Sequence, residues 1–326
     1  MIKHTSKLAW AVSSLALIAT ASADVKVNDI FSVNGYAIGA VTNTHIDGGD
    51  NIDTYFQSKG SPALTNADAV KLGVLATSGQ FSAYGSILYL PGAADKAGLL
   101  DAYVTYDTQM GIKITGGKFL SYLGYEAFDP VNMAQLTYGS TIFAVPAYHT
   151  GAKVDYSSKT FSAGVAVVDS IYSGANGFFE GDREYSDDIG VEAMVSYTGI
   201  DKLTVFAGIA SENTYKSNTD LFIFDLWASY ALTDKITLAA EYDTQNDYMD
   251  GWLAFVGYKF NDKFSTIFRV SGVKWKAAGA GSDTKYTVAP TYTINANLSL
   301  RAEFSVGQRD VGGDYDFIGA QIVFKF

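Results

Sequence analysis

The 326-residue chain contains no cysteine, five prolines and three histidines. Without cysteine it can have no disulfide framework, although an oxidising compartment is tolerated. Beyond the N-terminal segment, no apolar run reaches the ~20 residues that a transmembrane helix requires. Basic residues are outnumbered: 23 Lys and Arg stand against 34 Asp and Glu, for a formal net charge of −11. No basic patch is visible, which argues against nucleic acid as a partner.

The N-terminal segment, "MIKHTSKLAWAVSSLALIATASA", has the layout of a secretory signal peptide. Lys3 and Lys7 form a basic start, Leu8 to Ala19 is apolar, and residues 21–23 match an A-x-A cleavage site. An uncleaved anchoring helix is the alternative, but the apolar run is too short to span a membrane. We therefore expect residues 1–23 to be removed after Ala23, and residues 24–326 to form one exported domain.

What the chain has in abundance is glycine, tyrosine, phenylalanine and alternating hydrophobicity. In "DFIGAQIVFKF", at the C-terminus, every second residue is apolar, as in a strand with one apolar face. Sixteen such segments predict an all-β fold: 30–40, 68–76, 80–90, 100–108, 111–119, 148–156, 160–168, 188–198, 202–211, 220–231, 235–244, 250–260, 263–273, 284–293, 296–307 and 316–326. Most have the ~9–11 residues of a tilted membrane strand.

The connections between these segments alternate between short and long. Residues 109–110 and 261–262 are examples of short ones, whereas 41–67 and 120–147 are long. Bacterial outer-membrane barrels have short periplasmic turns on one rim and longer loops on the other. If the N-terminus lies in the periplasm, every long connection falls on the external rim and every short one on the periplasmic rim, through to the last segment. We therefore predict a transmembrane antiparallel β-barrel of about sixteen strands, with short periplasmic turns and long extracellular loops.

The two faces of the predicted strands differ in charge. In the segment 296–307, Leu298, Leu300 and Phe304 share one face, whereas Arg301 and Glu303 lie on the other. Sixteen strands enclose a lumen too wide for side chains to fill, so the charged face is predicted to line water. The apolar face is predicted to meet lipid, where a Lys or Arg at the midplane would cost ~2–4 kcal/mol.

Aromatic residues are predicted to form a girdle at each membrane interface. The outward positions near the periplasmic ends are Phe81, Tyr106, Tyr156, Phe161, Tyr197, Tyr230, Phe260, Phe264, Tyr292 and Phe326. Those near the outer ends are Tyr89, Phe222, Tyr242, Trp252 and Tyr286. Phe326 would thus end the chain within the lower girdle.

Two stretches, "AYVTYDTQMGIKITGGKFLSYLGYEAFDPVNM" and "VPAYHTGAKVDY", resemble the OmpL-like β-barrel porin family. The residues that carry the resemblance are Gly117, Lys118, Phe119, Gly124, Tyr125, Glu126, Asn132, His149, Thr150 and Gly151. They cover about a sixth of the chain. The resemblance implies passive movement of small solutes across the outer membrane. It also implies that the barrel assembly machinery recognises the terminal Phe326.

Residues 120–147 form the third external loop, the longest of the eight, and this loop is the predicted constriction of the pore. In sixteen-stranded porins the third external loop commonly folds inward, although the Pro-Glu-Phe-Gly-Gly motif of well-known porins is absent here. The candidate constriction residues are Tyr122, Tyr125, Glu126, Asp129, Asn132 and Tyr138. The candidate pore-lining residues are Lys113, Lys153, Asp155, Glu192, Asp225, Glu241, Asp243, Arg269, Arg301 and Glu303. Acidic residues on the loop would face basic ones on the wall, in a transverse field.

The function predicted from this pattern is a water-filled channel for passive diffusion of small hydrophilic solutes and ions. Inward positions hold more acids than bases, and the loop adds Glu126 and Asp129, so we expect a weak preference for cations. The alternative is a structural or adhesive barrel with a blocked lumen. Glycines on the inner face, such as Gly73 and Gly164, favour open space over a plug.

Catalysis and cofactors are not expected. No nucleophile is placed beside the remaining histidines, so the chain is predicted not to be an enzyme. Asp47, Asp50 and Asp53 are weak candidates for a Ca²⁺ site, since they lack the spacing of an EF-hand loop. The predicted partners are outer-membrane lipid and lipopolysaccharide, the assembly machinery, small hydrophilic solutes and, as one option, two further copies in a homotrimer.

Overall fold

The computed structural model describes residues 24–49, 52–55, 68–90, 97–126, 128–172, 189–214 and 219–326. The predicted signal peptide lies outside these residues. Among them, no helix is long and apolar enough to cross a membrane. Helical structure in this part of the chain is confined to two single 3₁₀ turns, Pro130–Asn132 and Ser140–Phe143.

Sixteen strands form the barrel, as the sequence predicts. They are β1 Phe31–Ile46, β2 Ala69–Ser78, β3 Phe81–Tyr89, β4 Ala97–Asp107, β5 Ile112–Leu120, β6 Tyr148–Ser157, β7 Phe161–Val168, β8 Gly190–Tyr197, β9 Leu203–Thr214, β10 Thr219–Ala231, β11 Ile236–Gln245, β12 Met249–Lys259, β13 Phe264–Trp275, β14 Ser282–Thr293, β15 Leu298–Arg309 and β16 Tyr315–Lys325. Two short strands, Val25–Lys26 and Ile52–Tyr55, pair with β1.

Every neighbouring pair in the barrel is antiparallel, and the last strand pairs with the first. The register between β16 and β1 runs from Tyr315 opposite Ile46 to Lys325 opposite Tyr36. Closure leaves none of the sixteen described barrel strands at a sheet edge. Lipid would penalise such an edge because it cannot hydrogen-bond to a free peptide group. The predicted all-β transmembrane barrel is therefore confirmed.

The strand faces separate as expected. On β16, Ile318, Ile322 and Phe324 are exposed on the outside, whereas Phe317 and Gln321 are buried inside. The other strands show the same alternation, and large exposed hydrophobic side chains cover the outer surface. This surface suits lipid, since large apolar side chains need no hydration.

The strict alternation of short and long connections is modified in the second half. The connections at 246–248 and 215–218 are no longer than the turn at 198–202, because β9 to β12 extend towards the outer rim. Strand β1 likewise continues six residues beyond its predicted end, to Ile46. The added residues include Thr42 and Thr44, which are buried and suit a strand despite their polarity.

The rim with the short turns carries paired aromatic rings. Phe81 and Tyr106 lie 5.0 Å apart between ring centroids, as do Phe260 and Phe264. Phe326 continues the ladder of β16, since its N–H and C=O exchange 3.0 Å hydrogen bonds with Gly35 of β1. Its ring lies over Gly35, where a Cβ would come within 2.8 Å of the ring. The terminal residue thus contributes to the seam that closes the barrel.

Replacing Phe326 with Asp should lower the yield of folded barrel. The change removes ring packing over Gly35 and puts a charge beside the membrane interface, at a cost on the order of 1–2 kcal/mol. The folded fraction can be measured by heat-modifiable mobility on a gel. Phe326→Tyr is the matched control and should fold like the wild type. Equal folded yields for the Asp and Tyr variants would contradict the assigned role.

Candidate functional site

The loop of residues 121–147 lies inside the barrel, where its backbone N–H groups meet carboxylates on the wall. Gly124 donates to Asp225 Oδ2 on β10 at 2.7 Å. Leu136 and Thr137 donate to Glu303 Oε2 on β15 at 2.6 and 2.9 Å. Because β10 and β15 are far apart around the sheet, the loop crosses the interior.

The loop contains no Lys or Arg, and basic residues of the wall bind its carbonyl groups. Arg301 donates to the carbonyls of Pro130 and Val131, both at 2.9 Å. Lys285 donates to the carbonyl of Tyr138 at 2.8 Å. Buried peptide groups need hydrogen-bond partners, and these side chains supply them where no neighbouring strand can.

Both predicted loop carboxylates are paired with wall cations. Arg269 binds Glu126 and also donates to the carbonyl of Thr137 at 2.9 Å. Asp129 accepts from Lys71 Nζ at 3.0 Å. The expectation of a transverse field between loop acids and wall bases therefore needs correction. The acidic and basic groups are in direct contact instead of facing each other across open water.

The remaining predicted basic residues play different parts. Lys153 Nζ lies 4.8 Å from the centroid of the Tyr122 ring, a cation–π contact. Lys113 is near the short-turn rim, where it lies 3.7 Å from Asp107. Sequence reasoning missed Lys285, although its inward parity was readable, and it did not pair Lys71 with the loop.

The first residues of the loop are held by Glu192 on β8. This buried carboxylate accepts from Ser121 Oγ at 2.6 Å and from the Tyr122 N–H at 3.2 Å. His149 Nε2 lies 3.3 Å from Glu192 Oε2, the oxygen that accepts the Tyr122 N–H. The Tyr122 hydroxyl donates to Asp155 Oδ1 at 2.7 Å. Two of the predicted pore-lining acids thus orient the predicted constriction loop.

An apolar cluster inside the barrel was not predicted. Tyr125 of the loop packs against Trp227 and Phe255 at centroid distances of 5.6 and 6.0 Å. Trp227 stacks on Phe206 at 5.0 Å. All four side chains are buried, and the three on the wall point inward. They fill one part of the lumen below the loop.

Inner-face glycines are covered by neighbouring side chains, contrary to the expectation of open space. A Cβ on Gly164 would come within 2.7 Å of the Tyr122 hydroxyl. A Cβ on Gly73 would come within 2.2 Å of the Tyr84 hydroxyl. The glycines therefore make room for rings that lie flat on the wall.

Cavities remain on both sides of the loop. One, of about 300 Å³, lies towards the short-turn rim and is lined by Tyr122, Asp129, Asn132, Lys153 and Asp155 among others. A second, of about 290 Å³, lies near the long-loop rim, where Lys285 and Arg309 contribute to its wall. The loop thus separates an outer from an inner water-accessible space.

The other predicted residues have the following positions. Tyr138 donates from its hydroxyl to the carbonyl of Phe128 at 2.7 Å, and Asn132 is exposed to the lumen. Asp225, Glu241 and Asp243 are buried together on β10 and β11. Of the weak Ca²⁺ candidates, Asp47 is exposed, Asp50 lies outside the described residues and so does the side chain of Asp53.

Comparison with known proteins agrees with this geometry. Residues 77–321 match the family described as "Putative beta-barrel porin-2, OmpL-like". The chain belongs to this family. A comparison with curated proteins gives no significant match. The porin is an outer-membrane channel by family and fold, and both point away from enzymatic activity.

Solved porins share the fold at low sequence identity. OprB of Pseudomonas putida is 10% identical, with 91% of this chain and 94% of that chain covered and a TM-score of 0.70. OmpF of Salmonella typhi, in complex with daunomycin, is 13% identical, with coverage of 93% and 100% and a TM-score of 0.70. OmpT of Vibrio cholerae, in its trimer form, is 13% identical, with coverage of 91% and 100% and a TM-score of 0.62.

Breaking the ion pair between Glu126 and Arg269 should loosen the loop. Glu126→Gln or Arg269→Gln alone leaves a buried charge without its partner, which typically costs 3–5 kcal/mol, whereas the double variant removes both charges. We expect chymotrypsin to cleave the loop faster in each single variant than in the double variant.

Lys113→Gln is the control for this experiment, because Lys113 pairs at the rim and not with the loop. It should be cleaved at the wild-type rate. Wild-type cleavage of both single variants would show that the ion pair does not hold the loop.

Proposed function

We propose that the porin allows passive diffusion of small hydrophilic solutes and ions through a narrowed pore, with a weak preference for cations. The observation that carries this proposal is the cavity between the loop and the wall of β6 to β9, where Lys153 and Asp155 contribute charged groups to the lining. There the loop leaves space beside Lys153 and Asp155, whereas on the opposite wall it is bound closely by Arg269, Arg301 and Glu303.

The narrow part of the pore favours small solutes. The loop crosses the lumen, and the cluster of Tyr125, Phe206, Trp227 and Phe255 occupies space beneath it. A solute must then pass close to Tyr122, Lys153 and Asp155, whose polar groups can replace part of its hydration. Tyr122, Tyr125, Glu126, Asp129, Asn132 and Tyr138 remain our candidates for the constriction.

The charge of the interior supports the preference for cations. Among the described residues, eleven buried side chains are acidic: Asp68, Asp101, Glu126, Asp155, Asp169, Glu192, Glu212, Asp225, Glu241, Asp243 and Glu303. Four buried side chains are Lys or Arg: Lys71, Arg269, Lys285 and Arg301. At physiological salt the Debye length is ~8 Å, so the effect on a passing ion is modest and declines as salt increases.

The alternative function is a structural or adhesive barrel with a blocked lumen. The buried aromatic cluster favours it, because four rings fill space that water would occupy in an open pore. A single-channel recording in a planar bilayer separates the two functions. Discrete conductance steps support the channel, whereas a tight seal from correctly folded protein supports the blocked barrel.

Assembly as a homotrimer and contacts with lipopolysaccharide and the assembly machinery remain predictions. The trimer form of the OmpT structure shows this arrangement for that protein. Sedimentation of the porin in detergent would count the chains in the assembly.

Two variants at the cavity beside Lys153 and Asp155 should shift ion selectivity in opposite directions. Asp155→Asn removes a negative charge and should lower the K⁺ to Cl⁻ permeability ratio, whereas Lys153→Gln should raise it. The change should be about fivefold at most, since unit charges 4 Å apart in water interact by ~1 kcal/mol. The measurement is the reversal potential under a KCl gradient.

Asp262→Asn, in an exposed short turn, is the control and should leave the potential unchanged. An anion-selective wild type would contradict the charge argument. Shifts of the same sign in both variants would show that ions do not pass beside Lys153 and Asp155.

A further inference from the structure

We propose that Asp225, Glu241 and Asp243 form a Ca²⁺ site between the barrel wall and the loop of residues 121–147. These three residues are termed the acidic triad. One carboxylate oxygen from each lies within 4.8 Å of the others. The proposal depends on the geometry of the triad and goes beyond the selectivity of the pore.

The strand register places the three carboxylates together. Asp225 on β10 and Asp243 on β11 are direct partners in the ladder, and Glu241 is the next inward position on β11. Asp225 and Asp243 are completely buried, and Glu241 is 4% exposed. Like charges directly opposite each other destabilise a strand pair. The arrangement therefore calls for a compensating positive group.

No side chain supplies that group in the described part of the chain. The inward basic residues bind elsewhere: Lys153 near Asp155, Arg269 to Glu126, and Arg301 to loop carbonyls. Within the described residues, none of the three triad acids takes part in a salt bridge. A buried carboxylate without a counter-charge is costly, since the interior solvates it poorly.

Two of the acids also hold the loop. Asp225 accepts the N–H of Gly124 through Oδ2, and Glu241 accepts the N–H of Tyr125 through Oε1. Their second oxygens, Asp225 Oδ1 and Glu241 Oε2, are buried and have no hydrogen-bond partner. Each residue therefore has one oxygen for the loop and one that is free to bind a cation.

Asp243 provides an independent indication of a ligand. It binds no part of the loop, and both its oxygens are buried without a hydrogen-bond partner. One of its oxygens lies within 4.8 Å of an oxygen of Asp225 and of an oxygen of Glu241. Loop anchoring and solvation do not explain a completely buried aspartate in this position. A cation bound by the triad or a proton shared with Asp225 does, and the binding experiments below separate the two.

The donor set fits Ca²⁺. It consists of four unpartnered carboxylate oxygens, and Ca²⁺ takes six to eight oxygen ligands in a flexible geometry. Carboxylates suit Ca²⁺ or Mg²⁺ better than softer metals. Mg²⁺ demands a near-ideal octahedron, whereas Ca²⁺ accepts an irregular arrangement in which carboxylates bind bidentately or water completes the ligand set. Ca²⁺ would neutralise two of the three charges and fix the acids that hold Gly124 and Tyr125.

Trp227 offers a direct way to detect the ion. It is the ladder partner of Glu241 and its side chain is buried beside Tyr125. Tb³⁺ replaces Ca²⁺ at oxygen sites and emits when a nearby indole is excited. Folded porin, treated with EDTA and dialysed, should therefore show saturable Tb³⁺ emission that Ca²⁺ abolishes and Mg²⁺ displaces much less readily.

The decisive variant is Asp243→Asn, since Asp243 does not bind the loop. Its affinity for Ca²⁺, measured by calorimetry, should fall at least tenfold. Asp250→Asn is the matched control, because Asp250 lies on the adjacent strand β12 and pairs with Lys276. It should bind Ca²⁺ like the wild type. Trp227→Phe should lose the Tb³⁺ emission and keep its affinity for Ca²⁺ in calorimetry.

Two further measurements use the wild type alone, so their outcome does not depend on whether a variant folds. Ca²⁺ should raise the temperature at which the EDTA-treated barrel loses its folded mobility on a gel, and it should slow cleavage of the loop by chymotrypsin. Absence of saturable binding to the wild type, or equal affinity in Asp243→Asn, would overturn the proposal. The three acids would then share protons in place of a metal ion.

Discussion

The central constraint in this porin is that a peptide segment inside a barrel has no neighbouring strand to bond to. The loop of residues 121–147 meets this constraint with charged side chains from the wall. Asp225 and Glu303 accept its N–H groups, whereas Arg301 and Lys285 donate to its carbonyls. Each of these bonds joins an ionisable side chain to a peptide group, and a charged partner makes such a bond stronger than a neutral one. The charges that line the lumen therefore also determine where the loop lies.

The same charges connect the fold to permeation. Lipid on the outside excludes ionised groups from that face, so the strands direct them inward, and the loop then uses part of this set. Pairs such as Glu126 with Arg269 become structural, and Asp155 and Lys153 remain beside the open cavity. Under the proposed function, selectivity would depend on the charged residues that the loop leaves accessible, and these are fewer than the charged residues at inward positions of the sequence.

The sequence predicts the barrel well because its signals are local. They are the alternating hydrophobicity of each strand, the aromatic residues at strand ends, and the alternation of short and long connections. The end of β1 was missed because Thr42 and Thr44 are polar residues that a strand can bury only against particular neighbours. The wall residues that bind the loop are harder to predict. The position of Lys285 in its strand identifies it as a lumen residue but does not show which segment of the loop it contacts. The cluster around Trp227 is hidden for the same reason, because its apolar partners come from the loop and from other strands.

The most direct test of this account is a cross-link between the loop and the wall. Ser140 on the loop and Ser271 on β13 have hydroxyl oxygens 3.4 Å apart, and the chain has no cysteine to interfere. With Ser140→Cys and Ser271→Cys combined, oxidation should form a disulfide in the folded porin, and the single-channel conductance should be the same before and after reduction. Failure to form the disulfide, or a conductance that rises when it is reduced, would show that the loop does not rest against this wall.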